Sequence, residues 1–350
     1  MTGRLLHRAF RNYETRVHEL NYLFWECTTR CNLHCRHCGS DCGAAPSEKD
    51  MPLEDFLKVL DTIPASERPD DFTVVLTGGE PLLRPDLPEA GLAIAKRGFS
   101  WGLVTNGWFY TRELQNRLLL SGLGALTISL DGLEDEHDWM RGRKGSFERS
   151  VDAIRIAAGC SRINFDVVTC VNRRTIGQLE QIHALLEGLG VPQWRLFTII
   201  PIGRAASDPD MQLTGAETKQ LMEFIASKRK AGGKMNVTFS CEGWCGKYDS
   251  KVRASRFFCR AGINVASVLI DGTIAACPNI DRNAFAEGNI YKDNFHRVWN
   301  EGFSVYRDRS PLRRGICADC PAWKDCLGGG MHNLHGNPPE PLNCLWRKTL

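Results

Sequence analysis

The stretch Cys31-Asn32-Leu33-His34-Cys35-Arg36-His37-Cys38 decides how the chain is interpreted, because it places three thiols at spacings of four and three residues. Thiolates are soft ligands that suit iron–sulfur clusters or zinc. A cubane cluster has about four irons, so three cysteines would leave one iron without a protein ligand. The stretch predicts such a cluster with one open iron; a zinc site or separately buried cysteines are the alternatives.

The composition favours a metalloprotein in a reducing compartment. The chain has 350 residues, which is enough for one large α/β domain and a smaller one. A net charge of +3 gives no global basic field for nucleic acid. Fifteen cysteines without a secretory signal are better explained by metal chemistry than by disulfides. We therefore expect a cytoplasmic protein without a membrane span.

Strand-like and helix-like stretches alternate for about two hundred residues. Strands are expected at 22–27, 72–77, 100–105, 126–130, 164–171 and 194–200, and helices at 53–63, 88–96, 112–121, 147–158, 176–189 and 217–230. The alternation predicts a doubly wound parallel sheet or a partial (β/α) barrel, with function at the carboxyl ends of the strands. The polar groups that follow these strands are the cysteine loop, Gly78-Gly79-Glu80, Asn106, Asp131 and Asn172.

The two ends of the chain differ from this pattern. Residues 1–20 predict a helical extension, whose arginines are expected on a solvated face packed against the protein rather than on a membrane or an acidic partner. Residues 21–233 form the expected core, and 231–234 form a connector. From Cys241 onward cysteines are dense, and a hairpin is expected at 265–276 with its turn at Asp271-Gly272. Residues 234–350 therefore predict a small metal-stapled domain.

Cys31, Cys35 and Cys38, followed by Gly78-Gly79-Glu80-Pro81, resemble the radical S-adenosylmethionine (SAM) superfamily over roughly residues 20–230. The resemblance implies an α/β fold, a partial (β/α)6 TIM-like barrel, in which the three cysteines hold a [4Fe-4S] cluster. It implies that the methionine amine and carboxylate of SAM bind the open iron, and that Gly78, Gly79 and Glu80 contact the amine.

The same resemblance assigns two further residues to the cofactor. It implies that Ser129 and Arg141 contact the ribose and the carboxylate of SAM. A helix cap and a surface cation are the alternatives for these two residues. The resemblance gives no assignment for a catalytic base.

The later cysteines resemble the SPASM extension, an iron–sulfur domain that carries auxiliary clusters. Cys317, Cys320, Cys326 and Cys344 form one complete ligand set, whereas Gly330 stands where the fullest pattern has another cysteine. For the remaining Cys259 and Cys277 we expect Cys241 and Cys245 as partners. The alternatives are an incomplete cluster, a ligand such as His332 or His335, or no second cluster; a zinc ribbon is the alternative for the complete set.

The resemblance implies an oxidoreductase that cleaves SAM reductively to a 5′-deoxyadenosyl radical, which abstracts hydrogen from a peptide or protein. It implies one or two auxiliary clusters that relay electrons and a donor such as flavodoxin or ferredoxin. Residues 23–27 and 259–266 are similar to a SPASM subgroup found beside small lipoproteins, so a lipoprotein is a candidate substrate.

One departure from a related pattern and two alternatives accompany this interpretation. Pro278 follows Cys277 where sulfatase-maturing relatives have an aspartate base, which disfavours that reaction. A small molecule such as a tetrapyrrole precursor is an alternative substrate. A non-catalytic electron-transfer or zinc protein is the alternative from another class, although an electron carrier would normally take all four ligands from the protein.

Overall fold

A computed structural model describes residues 2–43, 49–67, 71–240 and 242–350 of the chain. Its centre is a parallel sheet whose strands run in chain order. The strands are β1 (Tyr22–Thr28), β2 (Thr73–Gly78), β3 (Ser100–Thr105), β4 (Leu123–Ser129), β5 (Asn164–Val171), β6 (Gln193–Thr198) and β7 (Asn236–Phe239). Every neighbouring pair from β1 to β7 is parallel, as expected for a partial TIM-like barrel.

Helices cover the outer face of this sheet. The helices are α1 (Thr2–Val17), α2 (Leu53–Asp61), α3 (Leu87–Lys96), α4 (Arg112–Leu120), α5 (Glu134–Arg141), α6 (Ser146–Ala158), α7 (Leu179–Gly188) and α8 (Gly215–Ala231). Buried and half-buried residues alternate along β5 and β6, so the two faces of each strand have different surroundings. Val167 and Trp194 on these strands share one apolar core with Ile154 and Ile182 of the helices.

All six strands that the sequence predicts are present, and the α/β class is confirmed. The structure adds β7, which lies beyond the connector at 231–234 and pairs in parallel with β6. It also adds α5, which follows β4. The domain boundaries expected at residues 20–21 and 233–234 stay predictions, although the parallel sheet extends past the second of them.

The C-terminal part is built from short elements. It contains β8 (Val265–Val268), β9 (Thr273–Ala275), β10 (Gly288–Asn289), β11 (Leu334–His335), β12 (Glu340–Pro341) and the helices α9 (Asp249–Val252), α10 (Arg282–Phe285), α11 (Phe295–Glu301), α12 (Ser304–Arg307), α13 (Trp323–Cys326) and α14 (Leu345–Lys348). The expected hairpin is present as β8 and β9. Because β8 also pairs in parallel with β1, the hairpin and the barrel share one ten-stranded sheet.

Helix α1 packs against this C-terminal part. Arg8 donates to Asp325 Oδ1 at 2.9 and 3.1 Å, and Arg11 donates to the carbonyl of Lys324 at 2.9 Å. Arg260 is paired with Glu14 at 2.6 Å. Several of the basic groups of the helix therefore have partners within the chain. In the part of the chain that the structure describes, no helix combines the length and the hydropathy that crossing a bilayer needs.

Candidate iron–sulfur and cofactor site

The cysteine loop follows β1 and is held by backbone hydrogen bonds from three directions. Cys31 N donates to the carbonyl of Gly43 at 2.9 Å, and Arg36 N donates to that of Met140 at 2.8 Å. Arg204 N, from the segment after β6, donates to the carbonyl of Cys38 at 3.1 Å. The loop is therefore fixed by elements that are distant in sequence, which preorganises the thiols for a ligand.

The three thiols share one pocket of the molecule. Cys31 and Cys35 are buried in a small cluster with Cys42, and Cys38 is half-buried against it. Burial raises the pKa of Cys31 to about 11. A hydrogen bond from Cys42 holds the pKa of Cys38 below its usual value, with Arg204 acting in the same direction. Cys42 is therefore a direct neighbour of a predicted ligand.

The glycines of Gly78-Gly79-Glu80 are explained by the backbone that crosses them. A Cβ atom on Gly78 would lie 2.1 Å from the carbonyl oxygen of Thr28, and one on Gly79 would lie 2.2 Å from that of Arg30. Gly79 N and Glu80 N donate to these same carbonyls at 2.8 and 2.9 Å. The glycines therefore let the start of the cysteine loop pack directly on the end of β2.

The carboxylate of Glu80 is fully buried and engaged with the protein. It accepts hydrogen bonds from Thr105 Oγ1 at 2.7 Å, Asn106 N at 2.8 Å and Leu82 N at 3.1 Å. Burial raises its pKa, and these hydrogen bonds act against the rise. In the structure Glu80 thus fixes the end of β3, and the contacts of Gly78, Gly79 and Glu80 with the methionine amine stay a prediction.

Asn106 connects the end of β3 to the cysteine loop. Its Oδ1 accepts from Trp108 N at 2.9 Å, which forms the turn, and its Nδ2 donates to Asn32 Oδ1 at 2.9 Å. The same Nδ2 lies 4.0 Å from the sulfur of Cys31. Glu80 therefore acts on the loop through Asn106.

Arg141 reaches the cysteine loop from the end of α5. Its guanidinium is buried, 2.7 Å from the carboxylate of Asp131 and 3.7 Å from the sulfur of Cys35. Burial by itself would raise the pKa of Asp131, but the charge of Arg141 holds it below the usual value. His37 Nε2 lies 3.6 Å from the same carboxylate, and burial lowers the pKa of His37 to about 4. A neutral imidazole and a paired guanidinium thus face the predicted cluster.

Hydrogen-bond donors that are buried without a partner among the described residues indicate whether SAM fits beside the cysteine loop. Asn32 Nδ2 and Arg141 Nε are buried without a hydrogen-bond partner among the described residues. Unsatisfied buried donors are uncommon and indicate a missing acceptor. The carboxylate and hydroxyls of SAM are such acceptors, and thiolates beside them suit iron. The residues present therefore fit the cluster and cofactor that the motif predicts.

Two other predicted positions lie at neighbouring strand ends. Ser129 is the last residue of β4 and is half-buried, opposite Val168 of β5. Asn172 accepts from Arg174 N at 2.8 Å and from Thr175 N at 3.1 Å, so its observed contacts form a turn. The contact of Ser129 with the ribose stays a prediction.

The complete C-terminal cysteine set lies around one cavity. Cys317, Cys320, Cys326 and Cys344 all line it, together with Glu242 and Trp346. Burial and the neighbouring thiols raise the pKa of Cys317 to about 11 and that of Cys326 to about 12. A cationic centre in this cavity would favour the thiolate forms of Cys317 and Cys326, which metal ligation requires.

The structure describes three of the four cysteines of the second predicted auxiliary set. Cys259 is buried and accepts a hydrogen bond from Met331 N at 3.5 Å. Cys277 is half-buried, and the charges of Cys277 and Cys259 contribute to raising the pKa of Tyr306. Cys245 is buried and lies 3.7 Å from a guanidinium nitrogen of Arg253.

Cys241, the fourth predicted member of this set, lies outside the described residues. The assignment of Cys241, Cys245, Cys259 and Cys277 to one cluster therefore stays a prediction.

A cleft of about 510 Å³ separates the cysteine loop from the C-terminal hairpin. We call it the interdomain cleft; its walls include Thr29, Gly39 and Ser40 of the barrel and Pro278, Arg282 and His335 of the C-terminal part. Gly39 and Ser40 directly follow Cys38, and Pro278 directly follows Cys277. The cleft is therefore lined by residues that directly follow one predicted ligand of the SAM cluster and one of the auxiliary site.

Sequence reasoning missed several residues of this site. Arg204 donates to the carbonyl of Cys35 at 2.7 Å from 169 residues away, Asn32 supplies an unsatisfied buried donor, and His37 places its imidazole beside Asp131. Asn32 and His37 stand inside the motif itself, which is the signal that could have identified them. Arg204 follows the last residues of β6, where polar groups of a barrel are expected to act.

The fold and the site together define an iron–sulfur enzyme built on a partial (β/α) barrel. The family model of the radical SAM superfamily matches residues 25–186, and that of the SPASM iron–sulfur cluster-binding domain matches residues 259–321. The mycofactocin maturase MftC of Mycobacterium tuberculosis is 31% identical over 315 residues, which cover 88% of this chain and 78% of that protein. The chain belongs to the radical SAM superfamily and carries a SPASM domain, so it is a radical SAM enzyme with a SAM-binding [4Fe-4S] site and an auxiliary-cluster domain.

Two other similarities bear on substrate and fold. An AdoMet-dependent heme synthase of Nitratidesulfovibrio vulgaris is 27% identical over 340 residues, which cover 91% of this chain and 90% of that protein. The crystal structure of Streptococcus suis SuiB bound to the precursor peptide SuiA has a TM-score of 0.73 at 14% identity, covering 97% of this chain and 79% of that one. The relatives therefore include one named as a maturase and one named as a heme synthase, and the likeness to SuiB concerns the fold alone.

Proposed function

We propose that this enzyme cleaves SAM reductively and abstracts hydrogen from a peptide or small protein held in the interdomain cleft. The observation that carries the proposal is the cleft itself, which runs from the residues after Cys38 to those after Cys277. Its volume of about 510 Å³ lies within the range of small-molecule and side-chain binding sites. A substrate segment there would be near both predicted centres.

The residues proposed to hold the cofactors are those that converge on the loop. Cys31, Cys35 and Cys38 would ligate the cluster, and Arg141 would receive the carboxylate of SAM. A [4Fe-4S] cluster bound there would supply one electron to SAM, which would break at a carbon–sulfur bond into methionine and a 5′-deoxyadenosyl radical. The chain contributes orientation: Asn106 and Asp131 hold the donors around the loop, and the buried apolar core behind the strands limits access of water.

The lining of the cleft favours a peptide over a molecule with several carboxylates. Among the described residues of the lining, Arg282 is the arginine, and it is paired with the buried carboxylate of Glu26 at 2.7 Å. Thr29 Oγ1 is buried without a partner among the described residues, so it is available to a substrate amide or carbonyl. Paired charges and free hydrogen-bonding groups match the neutral amides of a peptide backbone.

A tetrapyrrole precursor is the second candidate substrate, because the heme synthase relative covers 91% of this chain. Its propionates would need cations, and Arg282 and His335 are the groups in the lining that could supply them. Arg282 could do so after release from Glu26. The two candidate substrates therefore differ in one requirement. The tetrapyrrole needs the ion pair of Arg282 with Glu26 to break, and the peptide does not.

The auxiliary cluster of Cys317, Cys320, Cys326 and Cys344 is proposed to exchange electrons with the substrate. Support comes from their shared cavity and from Cys326, which also lines a second cavity together with Cys259. The two predicted auxiliary sites would thus be neighbours. Such a relay would make the net reaction an oxidation or a cross-link.

A low-potential flavodoxin or ferredoxin is proposed as the electron donor. The exposed Arg143 donates to the carbonyl of Asn32 at 3.0 Å, and Arg36 and Lys144 are exposed near it. These cations match the acidic surface of such carriers and lie close to the loop. Reversing one charge, Arg143→Glu, should slow reduction by flavodoxin, whereas reduction by dithionite should change little.

Cytoplasmic location follows from the thiol chemistry. The 14 cysteines that the structure describes form no disulfide with one another, and clusters of this kind need reduced thiolates. A lipoprotein remains one candidate within the peptide class, from the resemblance of residues 23–27 and 259–266.

The test measures what stimulates formation of 5′-deoxyadenosine by the anaerobically reconstituted, reduced enzyme. A host extract below about 10 kDa should stimulate it, and prior digestion with a protease should remove the effect. Stimulation that survives digestion and is reproduced by an iron-bound tetrapyrrole would replace the peptide proposal by the second candidate. Cys35→Ala should abolish cleavage, and Thr29→Val should raise KM for the substrate while leaving substrate-free cleavage unchanged.

A further inference from the structure

Gly330 is a glycine for reasons that its backbone does not explain. Its φ of −70° and ψ of 137° are ordinary extended values that any residue adopts. A Cβ atom at this position, however, would lie 2.6 Å from Cε1 and 3.0 Å from Nδ1 of His332, and 2.9 Å from the carbonyl oxygen of Glu242. The imidazole of His332 and the backbone of Glu242 together therefore occupy the space into which a side chain at position 330 would project.

This space adjoins Cys259. The backbone that follows Gly330 turns toward that thiol, because Met331 N donates to its sulfur at 3.5 Å. The same segment is tied to the residues after Cys277, since His335 Nδ1 lies 3.7 Å from Asp281 and Gly336 N donates to Asp281 at 3.4 Å. His332 thus stands in a segment that contacts the surroundings of both thiols.

We propose that the imidazole of His332 is an iron ligand of the auxiliary site that contains Cys259 and Cys277, in place of a thiolate at position 330. Imidazole nitrogen binds iron in clusters of mixed ligation, where it raises the reduction potential relative to thiolate. His335 is the less suitable histidine, because its two nitrogens face Asp281 and the carbonyl of His332. The proposal concerns the composition of the cluster and holds for either substrate.

The experiment uses the full-length chain with Cys31, Cys35 and Cys38 all replaced by alanine, so that auxiliary iron is observed without the SAM cluster. About eight irons per chain are expected for two cubane sites. His332→Ala in this background should lower the count to about four. His335→Ala, the matched control, should leave it near eight.

Spectroscopy tests the ligand atom itself. Pulsed electron paramagnetic resonance of the reduced protein should show a strongly coupled nitrogen whose frequency changes when histidine is labelled with ¹⁵N. The signal should vanish in His332→Ala and persist in His335→Ala. Mössbauer spectra of the oxidised, ⁵⁷Fe-loaded protein should show one iron distinct from its thiolate-bound neighbours, in case the reduced state is silent.

Any of four results would overturn the proposal. They are about four irons in the triple variant, an iron count that His332→Ala does not lower, a nitrogen signal that survives His332→Ala, and Mössbauer spectra with and without His332 that are identical.

Discussion

The pair of Glu26 and Arg282 joins the barrel to the C-terminal part, and its removal gives a prediction that can be worked through in detail. Glu26 lies on β1 and is 2% exposed. Arg282 donates to its two oxygens at 3.0 and 2.7 Å, and Ile270 N donates at 2.9 Å. Arg282→Met would leave the carboxylate buried with a single hydrogen bond.

The magnitude follows from burial. Breaking a buried ion pair by removing one partner costs about 3–5 kcal/mol. The side chain of Arg282 is 36% exposed, so water already screens the pair and the lower figure has to be discounted. We expect Arg282→Met to lower the free energy of unfolding by about 2 kcal/mol at neutral pH.

The pH dependence of the variant has a definite sign. An unpaired buried carboxylate has a raised pKa, so the folded variant takes up a proton more readily than its unfolded chain does. The cost of the substitution should therefore be smaller at low pH, where the uncharged acid is favoured, than at neutral pH. The double variant Glu26→Gln, Arg282→Met removes the charge and should recover about half of the loss at neutral pH.

Urea unfolding under anaerobic conditions, with equal iron content in all variants, measures these differences. The reasoning fails if Arg282→Met costs less than about 0.5 kcal/mol, or if its cost is independent of pH and equal to that of the double variant.

Three further predictions concern other parts of the site. Glu80→Gln puts an amide where backbone and hydroxyl donors point, so release of the Asn106 turn should raise the Kd for SAM about tenfold by calorimetry; an unchanged Kd would contradict this role. Burial alone would raise the pKa of Asp138, but hydrogen bonds from the start of α6 lower it. Asp138→Asn should therefore lower the free energy of unfolding by about 1 kcal/mol at pH 7, and by progressively less below about pH 4, where the parent carboxylate protonates. A loss that does not depend on pH in urea titrations would refute this role. Cys317→Ala should remove about four irons by chemical analysis while Cys160→Ala removes none; equal counts in the two variants would contradict a cluster at the C-terminal set.

The fold was largely predictable because the predicted strands are short apolar-rich stretches closed by turn residues and separated by stretches with a helical pattern. β7 escaped prediction because Asn236-Val237-Thr238-Phe239 is too short to show a period and follows two glycines. α5 escaped because Glu134 to Arg141 is mostly charged, and its value lies in the placement of Arg141 rather than in an apolar face.

The site was predictable only where its residues are adjacent in the sequence. The spacing of the cysteine loop identifies its own thiols. The pair of Asp131 and Arg141 depends on the turn of α5, and the approach of Arg204 to Cys35 depends on the closure of the whole barrel. Contacts of this kind are consequences of topology, which a local pattern does not contain. For the same reason, the sequence could name His332 as an alternative but could not relate its ring to Gly330.

The pairing of β8 with β1 also prevents β1 from pairing with an extended segment of another chain. An incomplete barrel has two outermost strands, and an uncovered outermost strand offers its free N–H and C=O groups to any other extended chain. Tyr22 to Trp25 would be such a template, with apolar side chains throughout, were it not hydrogen-bonded to Val265 to Val268. A barrel expressed without its C-terminal hairpin should therefore self-associate through β1. The hairpin of the iron–sulfur extension thus also lowers the tendency of the barrel to aggregate.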